Sequence, residues 1–184
     1  MPIKRGARIL ALDDAPLSRR SANSLVVGVI GRQGILEGVL SFKVKVSGND
    51  STSKIASAIK KSRFRDQIRI LALNGSTFAG LNLIDMKKLK REFKLPILAI
   101  TRKRPRNEML VGALEAAGEG KKKIMLAKEN FRACTLYSMH GYYIQSMGME
   151  RQDVKAVSPE AAGLLRLAHI IASGIVRGES KGRV

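Results

Sequence analysis

Residues 68 to 77 read IRILALNGST, an apolar run that ends at the dipeptide Asn74-Gly75. An Asn-Gly pair after a short apolar run is typical of a hairpin turn. No second strand follows at once here, because the chain continues through Phe78 and Gly80 into a helical pattern. The alternative is a buried strand of a parallel sheet, and ligand-binding and catalytic groups collect at the carboxyl ends of such strands. We therefore predict a central strand with Asn74 at a functional edge of the sheet.

The segments before this strand predict an antiparallel meander of three strands. Residues 8 to 13 and 25 to 30 form two apolar runs. Over residues 40 to 46 apolar and polar side chains alternate, which is typical of a strand with one buried face. In this third strand Leu40, Phe42 and Val44 share the apolar face.

After the meander, helical and strand patterns alternate. We predict helices capped among residues 49 to 52, over 85 to 93, over 106 to 116 and from Ser158-Pro159 onward, strands over 97 to 100 and within 130 to 149, and a loop over 118 to 123. This order predicts an α/β fold with an RNase H-like mixed sheet, in which parallel strands follow the meander and helices cover both faces. Residues 1 to 184 are expected to form a single domain with a flexible polar tail at 178 to 184.

The charge of the chain indicates a polyanionic partner. It contains 34 Lys and Arg against 15 Asp and Glu, a net charge of +19. Such an excess attracts nucleic acid through its phosphates, so we expect DNA or RNA as a partner. A membrane partner is not expected, because no apolar run approaches the roughly 20 residues of a membrane span. The single cysteine, Cys134, excludes an internal disulfide and is consistent with the cytoplasm.

Two adjacent carboxylates end the first predicted strand. Asp13 and Asp14 follow an apolar run and precede Ala15 and Pro16. An Asp-Asp-Ala-Pro segment favours a turn. The alternative is a site for a hard cation such as Mg²⁺, which carboxylates from neighbouring strands can hold for phosphodiester hydrolysis.

Several segments together resemble one known family. These are ILALDDAP (9 to 16), GVLSFKVKVSGNDSTSKIASAI (38 to 59), KSRFRDQIRILALNGSTFAGLNLID (61 to 85), LPILAITRKRP (95 to 105) and LRLAHIIASGIVRGESKGR (165 to 183). They are similar to a mainly archaeal family known as domain of unknown function ninety-nine, considered a distant relative of endonuclease V. The resemblance implies an RNase H-like nuclease that cuts near deaminated bases with Mg²⁺, although the family has no settled activity.

The resemblance also assigns positions. The first-strand aspartate of endonuclease V falls on Asp13, its glutamate on Val44 and its next aspartate on Asn74, so two expected carboxylates are missing. The family often carries an Asp-Gly where this chain has Ser47-Gly48. Asp50 could substitute as a metal ligand, or it could cap the following helix. The resulting candidate metal ligands are Asp13, Asp14 and Asp50.

His169 is the remaining candidate for a catalytic or metal-binding role. It falls on the edge of the apolar stripe of the last predicted helix. A partly buried structural histidine is one interpretation. The resemblance leaves open a ligand or proton-transfer role, because RNase H-like enzymes bring a late helix near the metals. The candidate catalytic residues are therefore Asp13, Asn74 and His169.

Two basic clusters are candidates for binding nucleic acid. Arg102, Lys103, Arg104 and Arg106 follow a strand end and should border the same edge as Asp13 and Asn74. A second cluster in the predicted loop consists of Lys121, Lys122 and Lys123. Either cluster could instead be ordinary solvated surface.

Three functions remain open from the sequence. The first is a nucleic-acid-binding protein of the endonuclease V-like class, with catalysis weakened or lost because Asn74 and Val44 replace carboxylates. The second is an active Mg²⁺-dependent endonuclease on deaminated or structured DNA or RNA. The third is a non-catalytic partner of a ribonucleoprotein. A separate hypothesis is that Asn74-Gly75 deamidates and so restores a carboxylate.

Overall fold

The structure is a computed structural model that describes residues 6–17 and 21–180. Its strands are β1 (Arg8–Asp14), β2 (Asn23–Arg32), β3 (Ile35–Lys45), β4 (Ile68–Asn74), β5 (Thr77–Phe78), β6 (Asn82–Leu83), β7 (Ile97–Thr101), β8 (Thr135–Met139) and β9 (Tyr142–Met147). Its helices are α1 (Ser51–Lys61), α2 (Met86–Phe93), α3 (Asn107–Ala116), α4 (Lys121–Ala133) and α5 (Arg151–Arg177).

Seven of the described strands form one mixed sheet with the order β3-β2-β1-β4-β7-β9-β8. The strands β1, β2 and β3 pair antiparallel and form the predicted meander. The strand β4 lies parallel to both β1 and β7. At the far edge, β8 and β9 add an antiparallel hairpin beside β7. The predicted RNase H-like sheet is confirmed, and Asn74 ends a central strand.

Alternating side chains on β1 and β4 build two core layers. Leu12 and Leu73 point to the face that also buries residues of α1 and α2. Ala11 and Ala72 point to the opposite face, which α5 covers. Successive strand residues face opposite sides of a sheet, so this alternation decides which side chains can meet at the strand ends.

The helix α5 begins earlier than predicted. It starts at Arg151, and Pro159 lies inside it, so the predicted start at Ser158 was wrong. A proline usually marks the first turn because it lacks an N–H donor. By length and composition alone this helix could cross a membrane. Some of its apolar side chains, Val154 and Ala168 among them, are buried against the sheet, whereas Leu167 and Ile175 are exposed.

The helix α4 was not predicted. A loop was predicted over residues 118 to 123, but residues from Lys121 form the first turn of this helix. Three of its residues are buried, namely Lys123, Ala127 and Asn130. Their spacing is helical, but only one of them is apolar, so no apolar stripe marks the helix in the sequence. The predicted polar tail extends past Ser180, outside the described residues.

Candidate functional site

A cleft of about 600 Å³ opens at the carboxyl ends of β1, β4 and β7. The helix α5 forms its other wall. The lining residues are Asp13, Asn74, Ile100, Thr101, Arg102, Lys103, Tyr142, Ala162, Leu165, Arg166, His169, Ile170 and Ser180. The three candidate catalytic residues therefore line one cleft, because parallel strands end at the same edge and α5 crosses it.

Asp13 stands at the centre of this group. Its side chain is 1% exposed, because residues on β1 that share its face are covered by α5. The Nδ2 atom of Asn74 donates to Asp13 Oδ1 at 2.8 Å, and the backbone N–H of Asp14 donates to the same oxygen at 2.9 Å. On the other oxygen, Oδ2, the Nδ1 atom of His169 lies at 3.0 Å. Both carboxyl oxygens are therefore engaged.

Burial raises the pKa of Asp13 to about 6. The carboxylate loses hydration when it is buried, and the nearby charge of Asp14 raises the pKa further. The hydrogen bond from Asn74 and the neighbouring His169 act in the opposite direction. The site thus keeps a carboxyl group whose titration lies close to neutral pH.

His169 lies between Asp13 and a buried residue of α5 and contacts both. Its side chain is 44% exposed and faces the cleft. Its Nε2 atom lies 3.4 Å from the hydroxyl of Ser173, one helical turn further along. Ser173 is itself buried. The histidine is therefore held by hydrogen-bonding partners on both ring nitrogens while part of the ring remains accessible.

The side chains of Asp14 and Asp50 do not join that of Asp13 in the cleft. Asp14 points to the opposite face of the sheet, where its Oδ2 accepts from the backbone N–H of Ala79 at 2.9 Å. Asp50 occupies the N-cap position of α1, and its Oδ1 accepts from Asn82 and from the backbone of Lys45. The three aspartates predicted as metal ligands therefore do not form one cluster, and Asp50 is a structural residue of a turn.

The residues of the cleft do not fit a magnesium ion. Mg²⁺ needs oxygen ligands at near-octahedral positions, and one or two carboxylates with free oxygens usually supply them together with water and substrate phosphates. In the described residues no three His, Cys, Asp or Glu side chains lie close enough together to hold a metal. Asp13 is the one acidic side chain among the described lining residues, and its oxygens face hydrogen-bond donors.

A family model described as "Endonuclease dU" matches residues 5–176. This chain belongs to the endonuclease dU family. A "UPF0215 protein" of Methanothermobacter thermautotrophicus is 36% identical, covering 98% of this chain and 93% of that protein. A "UPF0215 protein" of Pyrococcus furiosus is 34% identical, covering 97% of this chain and 96% of that protein.

Two solved structures resemble this member of the endonuclease dU family. A protein of unknown function from Archaeoglobus fulgidus gives a TM-score of 0.81 at 28% identity, covering 93% of this chain and 99% of that one. The catalytic domain of human endonuclease V gives 0.54 at 13% identity, covering 94% and 83%. This confirms the endonuclease V-like fold. The family name that the resemblance suggested differs from that of the matched model, and their equivalence stays a prediction.

In this endonuclease dU family member, Val44 and Asn74 occupy very different surroundings. Val44 is fully buried in the apolar layer beneath α1 and α2. It faces away from the side of the sheet on which Asp13 lies. Asn74 ends β4 on the cleft side and contacts Asp13 directly. Of the two positions where the resemblance expects a carboxylate, only Asn74 therefore lies in the cleft.

The first basic cluster is divided between the cleft and the surface around it. Arg102 and Lys103 line the cleft directly after β7. Arg104 and Arg106 are exposed but do not belong to its lining. Arg166, which the sequence analysis did not select, lines the cleft from α5. It precedes His169 by three residues and so shares its helical face, which is the signal that could have identified it.

The second basic cluster does not form the predicted loop patch. Lys121 and Lys122 are exposed on the first turn of α4. Lys123 is 7% exposed, and its Nζ donates to the backbone oxygens of Ser47 and Gly48 and to Glu119, at 3.0, 3.1 and 2.7 Å. The three donors of its ammonium group are therefore used inside the protein and do not face the surface, where a phosphate would bind.

Tyr142 is a further lining residue that the sequence analysis missed. It begins β9 and forms part of the cleft wall together with Ile100 and Leu165. The edge hairpin that carries it lies within residues 130 to 149, where the sequence predicts strands without giving their bounds. One wall of the cleft is thus apolar and partly aromatic, whereas the residues after β7 and Arg166 supply positive charge.

Proposed function

We propose that this chain binds nucleic acid in the cleft of an endonuclease V-like fold and that its cleavage activity is weakened or lost. The observation that carries the proposal is the charge of the lining. Among the described residues it has one carboxylate, Asp13, and three cations, Arg102, Lys103 and Arg166. Phosphate groups favour such a surface, whereas metal-assisted hydrolysis needs carboxylates to hold the ion.

The family gives the probe for the first experiment. Its description, endonuclease dU, selects DNA that contains deoxyuridine, compared with the same DNA without it and with RNA. We expect binding of fluorescently labelled strands to weaken steeply as salt rises, because phosphate contacts release counterions. The double variant Arg102→Gln/Lys103→Gln should lower the slope of log affinity against log salt by about 1 or more.

A matched control removes two cations from the other end of the sheet. Arg63 and Arg65 precede β4 and are exposed, so Arg63→Gln/Arg65→Gln has the same net charge as the cleft variant. Its salt slope should fall clearly less. Equal losses in the two variants would mean that binding follows net charge and does not use the cleft. No binding of DNA or RNA at low salt would contradict the proposed function and favour a partner in a ribonucleoprotein.

The loss of catalysis is tested at Asn74. If one missing carboxylate limits cleavage, Asn74→Asp should create or raise Mg²⁺-dependent cleavage of deoxyuridine-containing DNA, and Asp13→Asn in the same background should abolish it. Products are resolved on denaturing gels. Efficient cleavage by the unaltered protein would contradict the proposal and establish the active endonuclease instead.

A further inference from the structure

Hydrogen bonds hold the buried carboxylate of Asp13 in the cleft. Two donors meet Oδ1, from Asn74 and from the backbone of Asp14, and His169 lies on Oδ2. An ionised carboxylate offers about four lone-pair sites, all of them acceptors. In a metal site some of these lone pairs would face the ion. Here side-chain and backbone groups occupy three of these sites, two on Oδ1 and one on Oδ2.

The side chains that surround this group supply positive charge from two elements. Arg102 and Lys103 come from the segment after β7, and Arg166 comes from α5. In many phosphate sites a divalent cation offsets the repulsion between the phosphate and nearby carboxylates. One carboxylate with donors on both oxygens produces less repulsion, and the three cations act on the phosphate directly.

We propose that the cleft binds a backbone phosphate of nucleic acid without a divalent cation, because Asn74 and His169 occupy on Asp13 the places that a cation would take. This inference rests on the proposed function of the cleft. It adds that binding by the unaltered chain does not respond to chelators. It also adds that Asn74 is the residue that makes the site independent of metal.

The variant Asn74→Asp should convert the cleft into a site that needs a divalent cation. It replaces a donor that lies 2.8 Å from Asp13 Oδ1 with a second carboxylate. Two carboxylates this close repel each other, so they share a proton or recruit a cation. Above neutral pH the cation is the more favourable partner. DNA affinity of the variant should therefore depend on a divalent cation.

The experiment compares affinities in EDTA and in Mg²⁺ at matched ionic strength and mildly alkaline pH. Fluorescence anisotropy with a labelled single-stranded oligonucleotide gives the dissociation constants. The unaltered protein should change by less than about twofold, whereas Asn74→Asp should bind about tenfold more weakly in EDTA and recover in Mg²⁺. Melting curves without DNA should show Mg²⁺ stabilising the variant and leaving the unaltered protein unchanged.

Two further variants guard against trivial explanations. Asn49→Asp makes the same change of charge at an exposed residue before α1 and should show no dependence on cation. His169→Glu presents a carboxylate to the other oxygen of Asp13 and should reproduce the dependence seen with Asn74→Asp. It keeps the inference testable if Asn74→Asp does not fold.

The outcomes separate the inference from the proposed function. If the unaltered protein binds DNA only in Mg²⁺, or if Mg²⁺ raises its melting temperature and Asp13→Asn removes that rise, the inference is overturned while the cleft still binds nucleic acid. Equal binding by Asn74→Asp and His169→Glu in EDTA and Mg²⁺ would also overturn it. Failure to bind DNA in either buffer would remove the proposed function itself.

Discussion

The buried carboxyl group of Asp13 links the stability of the protein to pH. Its pKa is about 6 in the folded protein, above the value near 4 of an exposed aspartate in the unfolded chain. The folded state therefore binds this proton more tightly, and the free energy of unfolding should fall as pH rises from about 4 to about 6. The loss should be on the order of 2–3 kcal/mol.

Urea unfolding of the unaltered protein and of Asp13→Asn measures this effect. The asparagine keeps the shape of the side chain and cannot ionise, so the variant should be the more stable protein near pH 8. The difference should shrink towards about pH 4, where Asp13 is protonated. A constant difference across this range would show that its pKa is not raised.

The conformation of Asn74 and Gly75 argues against the deamidation hypothesis in the folded protein. Deamidation requires the Gly75 nitrogen to attack the side-chain carbonyl carbon of Asn74 and expel ammonia. That N–H instead donates to the backbone oxygens of Leu73 and Ile100 at 3.0 and 3.2 Å. The amide is held by Asp13. Reorienting both groups would break these hydrogen bonds.

Peptide mass spectrometry can test this protection. We expect the peptide that contains Asn74 to remain an amide during prolonged incubation of the folded protein. It should gain one mass unit, as aspartate or isoaspartate, much faster in urea. Equal rates in the two conditions would show that the fold does not protect this position.

At the scale of secondary-structure elements, Lys123 attaches α4 to the turn between β3 and α1. Its buried ammonium has two backbone acceptors in that turn and one acidic partner, Glu119. Lys123→Met keeps most of the side-chain volume and leaves these acceptors unpaired, so the free energy of unfolding should fall by about 2–4 kcal/mol. Chemical denaturation gives this value.

Lys122→Met is the matched control for this prediction. Lys122 is exposed on the same turn of α4, and its replacement should change stability by less than about 0.5 kcal/mol. A similar small effect at Lys123 would mean that its hydrogen bonds contribute little to the attachment of α4. DNA affinity of folded Lys123→Met should stay unchanged.

The elements that the sequence predicted are those in which apolar spacing dominates. On α2 the pattern and the N-cap Asp85 agree, and Asp85 accepts from the backbone N–H of Lys88 at 2.8 Å as expected. The helix α4 escaped prediction because polar contacts attach it, such as the Asn130 side chain to the backbone of Ile84 at 2.7 Å. Such contacts depend on a partner distant in sequence, which a local pattern does not contain.

The same distinction holds for the site. Asp13 and Asn74 could be placed together because both end strands of one parallel pair. Asp14 and Asp50 were misplaced because the face of a strand residue and the partner of a cap depend on the assembled sheet. Arg166 needed the position of α5 over the strand ends. The sequence thus predicted at which end of the strands the site lies. Which charged side chains face the cleft depends on how the elements pack.

At the scale of the whole molecule, the net charge of +19 has opposite effects on stability and on binding. The described ion pairs on the surface, such as Lys60 with Glu92 and Lys87 with Glu129, are exposed and contribute little. Repulsion among the remaining cations therefore opposes folding. Raising salt from about 0.01 M to 0.15 M shortens the Debye length from about 30 to 8 Å and weakens that repulsion.

We therefore expect NaCl to raise the melting temperature by a few degrees over this range, where about 1 kcal/mol corresponds to 2–4 °C. Over the same range the affinity for DNA should fall steeply, because the release of counterions from DNA gains less free energy when the surrounding salt is more concentrated. Potassium chloride should act like NaCl, since only ionic strength matters to screening. A melting temperature that falls with salt would mean that favourable ion pairs outweigh the repulsion. In that case the excess positive charge would not destabilise the folded chain, and loss of DNA affinity in salt could no longer be separated from loss of folded protein.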